Sequence, residues 1–289
     1  VGINVGAFFS PLVCGTLGEL YGWHYGFGAA GVGMLIGLAV YLAGQKHLAP
    51  DNLSQRKAGQ AETPVLTGDD RNKIIGLVVL CMLTIVFWGV YEQQGNTLAL
   101  WADQNTDRRI FSWIGSDWAM PASWFQSVNP AMIFLLTPLV NLLWAWQSRK
   151  GREPSNVAKM GIGCALLGCS FIVMIAAARI SDNGGASALW LFGCFFLLTI
   201  GELYLSPVGL SLVTKLAPAR MVSMLMGVWF LAAFAGNYLT GYLGTYWEKM
   251  ERADFFLMLA LLAFGVSLAL FALKRPLKRA IHGGDDTGA

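Results

Sequence analysis

The chain has 289 residues, of which 55% are hydrophobic and only 13% charged, with a formal net charge of +3 and a mean hydropathy of +0.54. Ordinary soluble domains carry about 25% charged residues, so a water-soluble globular protein is excluded. A balance this close to neutral also argues against a nucleic-acid partner. The apolar residues gather into runs of about 20, the length that crosses a bilayer, and the expected fold class is an all-α polytopic membrane protein. The chain opens inside an apolar run, without Met and without a charged-then-apolar leader, which reads as part of a longer polypeptide.

Eight spanning segments are expected, at 2–21, 25–43, 74–101, 123–146, 157–178, 187–213, 221–246 and 255–273. Gly22-Trp23-His24 is too short to do more than turn the first pair antiparallel. The longest polar stretch, 44–73, holds Pro50, Ser54, Gly59 and Pro64 and reads as a linker between 1–43 and a six-helix group at 74–273. Residues 274–289 form a tail. Basic residues cluster in the linker (Lys46, Arg56, Lys57, Arg71, Lys73), then at Arg149, Lys150, Arg152 and Lys159, then at Lys215 and Arg220, and finally at Lys274, Arg275, Lys278 and Arg279. The intervening connections lack that excess, so the linker and the C-terminus are expected in the cytoplasm. The connection at 103–122, with Ile110, Phe111, Trp113, Trp118 and Met120, reads as an aromatic-rich segment at the membrane surface.

Polar side chains inside such spans mark function by default, because hydrocarbon penalises them. In the third span Glu92, Asn96, Ala99 and Asp103 recur at helical spacing. On one continuous helix they form a stripe whose two acids stand roughly 16 Å apart, at 1.5 Å per residue. A carboxylate in so dry a medium exchanges a proton when its neighbours change, and Glu92 is the candidate for that role. Glu202, in Thr199-Ile200-Gly201-Glu202-Leu203-Tyr204-Leu205-Ser206-Pro207, is the second mid-membrane acid. Pro207 frees a backbone carbonyl one turn back, which Ser206 or a water can satisfy, and the acid suits a ligand ammonium. Gln126 and Asn129-Pro130, with Pro138, make a broken polar helix of the kind that lines cavities. Asn4 and Ser10-Pro11 do the same on the first span, and Trp229 and Asn237 lie two turns apart on the seventh. Gly26, Gly28, Gly31, Gly33 and Gly37 read as a close-packing face of the second helix. Glu19, at the end of the first helix, reads as solvated.

Other chemistries find little support. Cys14, Cys81, Cys164, Cys169 and Cys194 fall in apolar runs without metal-ligand spacing. No Walker loop and no nucleophile–base or zinc spacing is visible, so no metal and no cofactor is expected. A membrane-embedded enzyme would need Glu92 and Glu202 convergent on a water or a metal. A non-transporting receptor would bind without dependence on a proton gradient.

At these residues the sequence resembles the proton-dependent oligopeptide transporter family of the major facilitator superfamily. The matches are Gly2-Ile3-Asn4-Val5-Gly6-Ala7-Phe8, Phe87-Trp88 through Glu92-Gln93 with Asp103, Phe125-Gln126-Ser127-Val128-Asn129-Pro130, Gly201 through Ser211, and Met226-Gly227-Val228-Trp229-Phe230. Five motifs in order cover almost the whole chain, and their wording implies a bacterial inner-membrane member. The resemblance implies a major-facilitator fold made of the last two helices of an N-terminal bundle and the six of a C-terminal bundle. It implies proton-coupled uptake of di- and tripeptides by alternating access. Glu202 and Asn129 would hold the peptide's amino terminus and Asn4 its backbone. Glu92 would couple the proton and Asp103 would close an outer gate against a cation of the N-terminal half. Trp229 would border the pocket, and Trp88 and Gln126 would line it. The family's Glu-x-x-Glu-Arg motif and carboxylate-binding lysine belong to helices absent from this sequence, so the chain alone is expected to be inactive. Residues 44–73 also leave no room for the two extra helices of many bacterial members. A related symporter of an amino acid derivative, nitrate or a sugar is the alternative, since fold does not fix substrate.

Overall fold

A computed structural model describes residues 2–48, 68–110, 118–181, 185–218 and 221–276. Most of the linker, Phe111 and Trp113 of the aromatic connection, and the basic tail beyond 276 lie outside the described residues. Among the described residues, eight helices are long and apolar enough to cross a membrane: Gly2–Tyr21, Trp23–His47, Asp70–Gln104, Ala122–Arg149, Asn156–Ile180, Ala188–Leu216, Val222–Gly244 and Arg252–Ala272. They are called the first to eighth helices below. Their number and order are those read from the hydropathy.

The third helix departs from the uniform rod expected of it. Its α-helical part begins at Gly68, inside the stretch read as linker, and runs to Tyr91. Glu92–Gly95 then tightens into a 3-10 turn, and α-helix resumes at Thr97. Asn96, between the two, sits at φ −117°, ψ −93°, outside the helical region. Gly and Asn are both poor helix formers, and Gly95-Asn96 places them side by side. A broken helix leaves backbone carbonyls that lipid cannot satisfy. Here side chains do so. The Thr240 hydroxyl donates to the Gly89 carbonyl at 3.1 Å, and Gln93 Nε2 donates to the Thr240 carbonyl at 3.0 Å. Thr97 closes the network by donating to Gln93 Oε1 at 2.9 Å. The first helix is also irregular, with a π turn at Pro11–Gly15, where proline removes a backbone donor.

The core lies within the six-helix group. The fifth helix is its centre, with 56% of its spanning window buried, whereas the second has 6% and sits at the edge. Between helices in lipid, association rests on close van der Waals fit and small residues. Gly163 and Gly201 show this: a Cβ on Gly163 would lie 2.6 Å from the Gly201 carbonyl oxygen, and one on Gly201 would lie 2.7 Å from the Gly163 oxygen. The neighbour here is backbone, which cannot step aside. Gly163→Val is therefore expected to destabilise the protein by ~1–3 kcal/mol, the usual range for overpacking. An unchanged thermal midpoint in detergent would show that the fifth and sixth helices separate more freely than this fit allows.

The glycine face of the second helix behaves differently from expectation. Gly26 packs against the Cys14 carbonyl, 2.5 Å from where its Cβ would be, but Gly28, Gly31, Gly33 and Gly37 have open space around them. Among the described residues only the end next to the turn carries close packing, because the first two helices touch there.

An aromatic group ties the ends of the third, fifth and eighth helices. Phe256 meets Trp101 at 5.5 Å, Phe171 at 6.2 Å and Trp247 at 5.7 Å. The Arg252 guanidinium lies 4.0 Å above the Trp247 ring and donates to its carbonyl. Next to this group, Thr106 and Asp107 pair in parallel with Ala186 and Ser187, a two-residue bridge between connections that the hydropathy gave no reason to join.

At the opposite membrane end, Lys159 is buried, yet its Nζ has two partners. Glu153 Oε1 accepts from it at 2.6 Å, and the Trp144 ring lies 4.0 Å below it. Trp144 in turn meets Tyr204 edge-on at 5.2 Å, so one ammonium links the fourth, fifth and sixth helices. The Lys159 hydrogen bond holds the Glu153 carboxyl below its ordinary range. A depressed carboxylate contributes stability above its unfolded pKa and loses it as pH falls through the folded one. The tie should thus weaken only in acid, below the ordinary carboxylate range. Glu153→Ala should cost only ~1 kcal/mol, because the carboxylate is 36% exposed and solvent screens the pair. It should also abolish that acid-dependent loosening, which Trp fluorescence against pH would read.

Candidate functional site

Glu202 is the point on which three helices converge. The Tyr91 hydroxyl of the third helix donates to Glu202 Oε2 at 2.6 Å, and Asn129 Nδ2 of the fourth donates to the same oxygen at 3.1 Å. Asn129 Nδ2 also reaches Thr199 Oγ1 at 3.0 Å, and Thr199 donates on to the Phe195 carbonyl at 2.7 Å. Each donor's position has a local cause. Tyr91 is the last α-helical residue before the break. Asn129 is the second α-helical residue of the fourth helix, after its opening 3-10 turn at Ala122–Ser127. Thr199 lies one turn before Glu202 on the same face. The carboxylate's partners are neutral, and among the described residues no ion pair includes it. A charge so placed in a membrane asks for a cation from a ligand or for a proton.

Glu92 follows Tyr91 directly, is half-buried, and lies near enough to Glu202 for the two charges to interact. The site thus places a second acid next in sequence to the tyrosine that holds Glu202. Ser206 lies one turn beyond Glu202 on the sixth helix and is half-buried, as is Asn4 on the first. Trp88 packs edge-on against Phe87 at 5.5 Å and Tyr91 at 5.4 Å, beside the acids. Trp229 is buried, and its ring fills the space over Gly209, where a Cβ would lie 2.1 Å from it. In this structure it packs the sixth helix to the seventh. Asn237 donates to its own helix, at the Ala233 carbonyl.

The stripe expected on the third helix is split by the 3-10 turn. Glu92 belongs with Glu202, whereas Asn96, Ala99 and Asp103 line a separate cavity of about 590 Å³ toward the Tyr21 end, together with Glu19, Trp23, Ser123 and Gln126. Gln126 also donates to the Gln94 carbonyl at 2.7 Å, bracing the turn. Asp103 pairs at 3.2 Å with Arg108, a cation of its own helix group, and Arg108 continues to Glu19 at 3.7 Å. Glu19 is not simply solvated, as its place at a helix end implied. Its carboxylate accepts from the Ala122 and Ser123 amides at 3.0 and 2.7 Å.

Three residues escaped the sequence reading. Tyr91 and Thr199 sit inside motifs already singled out, but their partners are on other helices, and only three-dimensional proximity exposes them. Arg108 shares a short connection with Asp107 and Arg109, where nothing in the spacing chooses among the charges.

A sequence profile of the POT family matches residues 1–58 and 53–260. The chain belongs to the POT family. Among similar proteins, the uncharacterized transporter YclF of Bacillus subtilis is 32% identical over 98% of the POT chain and 67% of its own length. A di-/tripeptide transporter of Lactococcus lactis subsp. cremoris is 28% identical over 96% and 67%. A crystal structure of a peptide transporter POT with sulfate superposes with a TM-score of 0.82 at 29% identity, covering 98% of the POT chain and 67% of its own. The same transporter type, as an E310Q mutant, has been crystallised with alafosfalin, with a TM-score of 0.81 at 28% identity over 98% and 67%. The POT chain thus spans about two thirds of the length of these relatives. Its helical architecture is the major-facilitator type of POT transporters, and it is a multi-pass membrane transporter chain, not an enzyme.

Proposed function

We propose that this chain forms the greater part of a proton-coupled symporter that carries di- and tripeptides into the cell. The observation that carries this reading is the Glu202 carboxylate, held by Tyr91 and Asn129 at the meeting of three helices with no ion-pair partner among the described residues. A peptide's ammonium is the cation that such a site lacks. Relatives at 28–30% identity named as di-/tripeptide and peptide transporters support the substrate class.

In this reading residues 1–43 supply the last two helices of an N-terminal bundle, 44–73 a cytoplasmic linker, 74–273 the C-terminal bundle and 274–289 a cytoplasmic tail. The membrane is the bacterial inner membrane, and the Tyr21 end faces outward. Glu202 and Asn129 hold the amino terminus and Asn4 the peptide backbone, and Ser206, Glu92 and Trp229 complete the substrate-binding set. Trp88, Gln126 and Trp229 shape the pocket, and Asp103 serves the outer gate. Glu92 takes the proton. The two bundles rock about the site, and proton and peptide shift the populations by no more than their differential affinity for the two states.

The test is dialanine uptake into liposomes holding the natural full-length protein, with and without an inward proton gradient, competed by other short peptides. Gradient-dependent uptake blocked by di- and tripeptides is the expected result. Proton flux triggered only by another solute would keep the fold and remove the substrate.

A further inference from the structure

The first helix meets the six-helix group along a polar seam that runs in register from mid-depth to the Tyr21 end. The Ser127 hydroxyl donates to the Phe8 carbonyl at 2.7 Å. Further along, Trp124 Nε1 donates to Thr16 Oγ1 at 2.7 Å, and Gly15 leaves room for Ser123, whose Cβ stands 2.5 Å from where a Gly15 Cβ would be. At the rim, Glu19 accepts from the Ala122 and Ser123 amides and meets Arg108. As the residue number rises from 8 to 19 on one side, it falls from 127 to 122 on the other. The seam is therefore an antiparallel zip, and only its last tooth carries charge. A carboxylate accepting two amides and facing a guanidinium is the strongest contact in it.

We propose that Glu19 is a positioning residue of the transport cycle: it latches the outer end of the first helix to the start of the fourth and must release them each time the site opens outward. Arg108 belongs to both halves of this latch, since it pairs Asp103 as well as Glu19, so release of Glu19 leaves Arg108 to Asp103 and the Met120 carbonyl. The inference rests on the proposed orientation and on transport by rocking bundles. The other teeth of the seam are single neutral hydrogen bonds, whose groups find other partners within the membrane and so part at little penalty. The charged tooth does not, so it governs the release.

The experiment uses the full-length protein with its native cysteines replaced and with Glu19→Cys and Ser123→Cys introduced, bridged by a short bis-methanethiosulfonate reagent that reductant cleaves. The bridged protein should retain less than about a tenth of its dialanine uptake, since closed gates stop turnover, and reductant should restore it. Bridged protein that transports undiminished would overturn the latch, as would failure of the two thiols to bridge. A membrane-impermeant maleimide added outside labels the unbridged thiol of the Glu19→Cys protein if the orientation holds. Labelling only from the cytoplasmic side would overturn the orientation and, with it, the outer latch. Absence of dialanine uptake in the natural full-length protein would instead overturn the transport reading on which the latch rests. Glu19→Gln, which keeps an acceptor for the amides, should retain more uptake than Glu19→Ala. Equal loss in the two would overturn the amide contacts as the working part of the latch.

Discussion

Replacing Glu202 with Gln should weaken dialanine binding by ~10- to 150-fold, the effect of losing a charge-assisted hydrogen bond worth ~1.5–3 kcal/mol in a dry site. The substitution is nearly isosteric. An amide oxygen at the same place still accepts from Tyr91 and Asn129, so the three-helix junction survives and only the charge is lost. The loss should also depend on the ligand. A dipeptide with a free amino terminus should suffer the full penalty, whereas an N-acetylated analogue, which brings no ammonium, should bind the two proteins alike. Titration calorimetry or ligand-induced thermal stabilisation in detergent reads both. Equal weakening for both ligands would assign Glu202 to helix packing and move the ammonium elsewhere.

Glu92→Gln should divide two activities that the natural protein performs together. Accumulation of peptide against its gradient should fall to ~10% or less, while exchange of internal for external peptide should stay within about threefold. Coupling needs a group that gains and loses a proton within the cycle, and exchange does not. The structural basis is adjacency. Glu92 follows the tyrosine that donates to Glu202, and the two carboxylates interact electrostatically. A proton taken at Glu92 removes a negative charge next to the tyrosine that holds Glu202, and so changes what that site offers a ligand. Counterflow and gradient-driven uptake measured on the same liposomes decide the matter. Parallel loss of both activities would remove Glu92 from the coupling role and make it a structural acid.

The spans were legible because each physical requirement of a membrane helix is local: a run of apolar residues, a turn, and a cation at the correct end. Glu92, Asn129 and Glu202 were legible for the same reason, since the penalty on a polar group in hydrocarbon does not depend on its partner. Their partners were not. Tyr91 reaches Glu202 across 111 residues and Ser123 reaches Glu19 across 104, and a single sequence carries no mark of such pairings. Glu19 looked solvated because a carboxylate at a helix end normally is. Lys159 looked like a topology signal, and its burial over Trp144 depends on where the fourth helix stops. The break at Glu92–Gly95 was half-legible. Gly95-Asn96 is a pair that seldom continues a helix, yet the span at 74–101 was read straight through it because apolar residues lie on both sides.

The same break has a geometric consequence. A 3-10 turn advances about 120° per residue where an α-helix advances about 100°, so the four residues Glu92–Gly95 alone add roughly 80° of rotation relative to a straight rod, and the non-helical Asn96 adds a bend. The third helix is in effect two half-helices out of phase, one presenting Glu92 to Glu202 and the other presenting Asn96, Ala99 and Asp103 to Glu19 and Gln126. A single helical face cannot serve two chambers in different directions. A one-residue deletion inside the turn would leave hydropathy and span length almost untouched, yet it would swing the outer half-helix by more than a quarter circle and aim its polar residues at lipid.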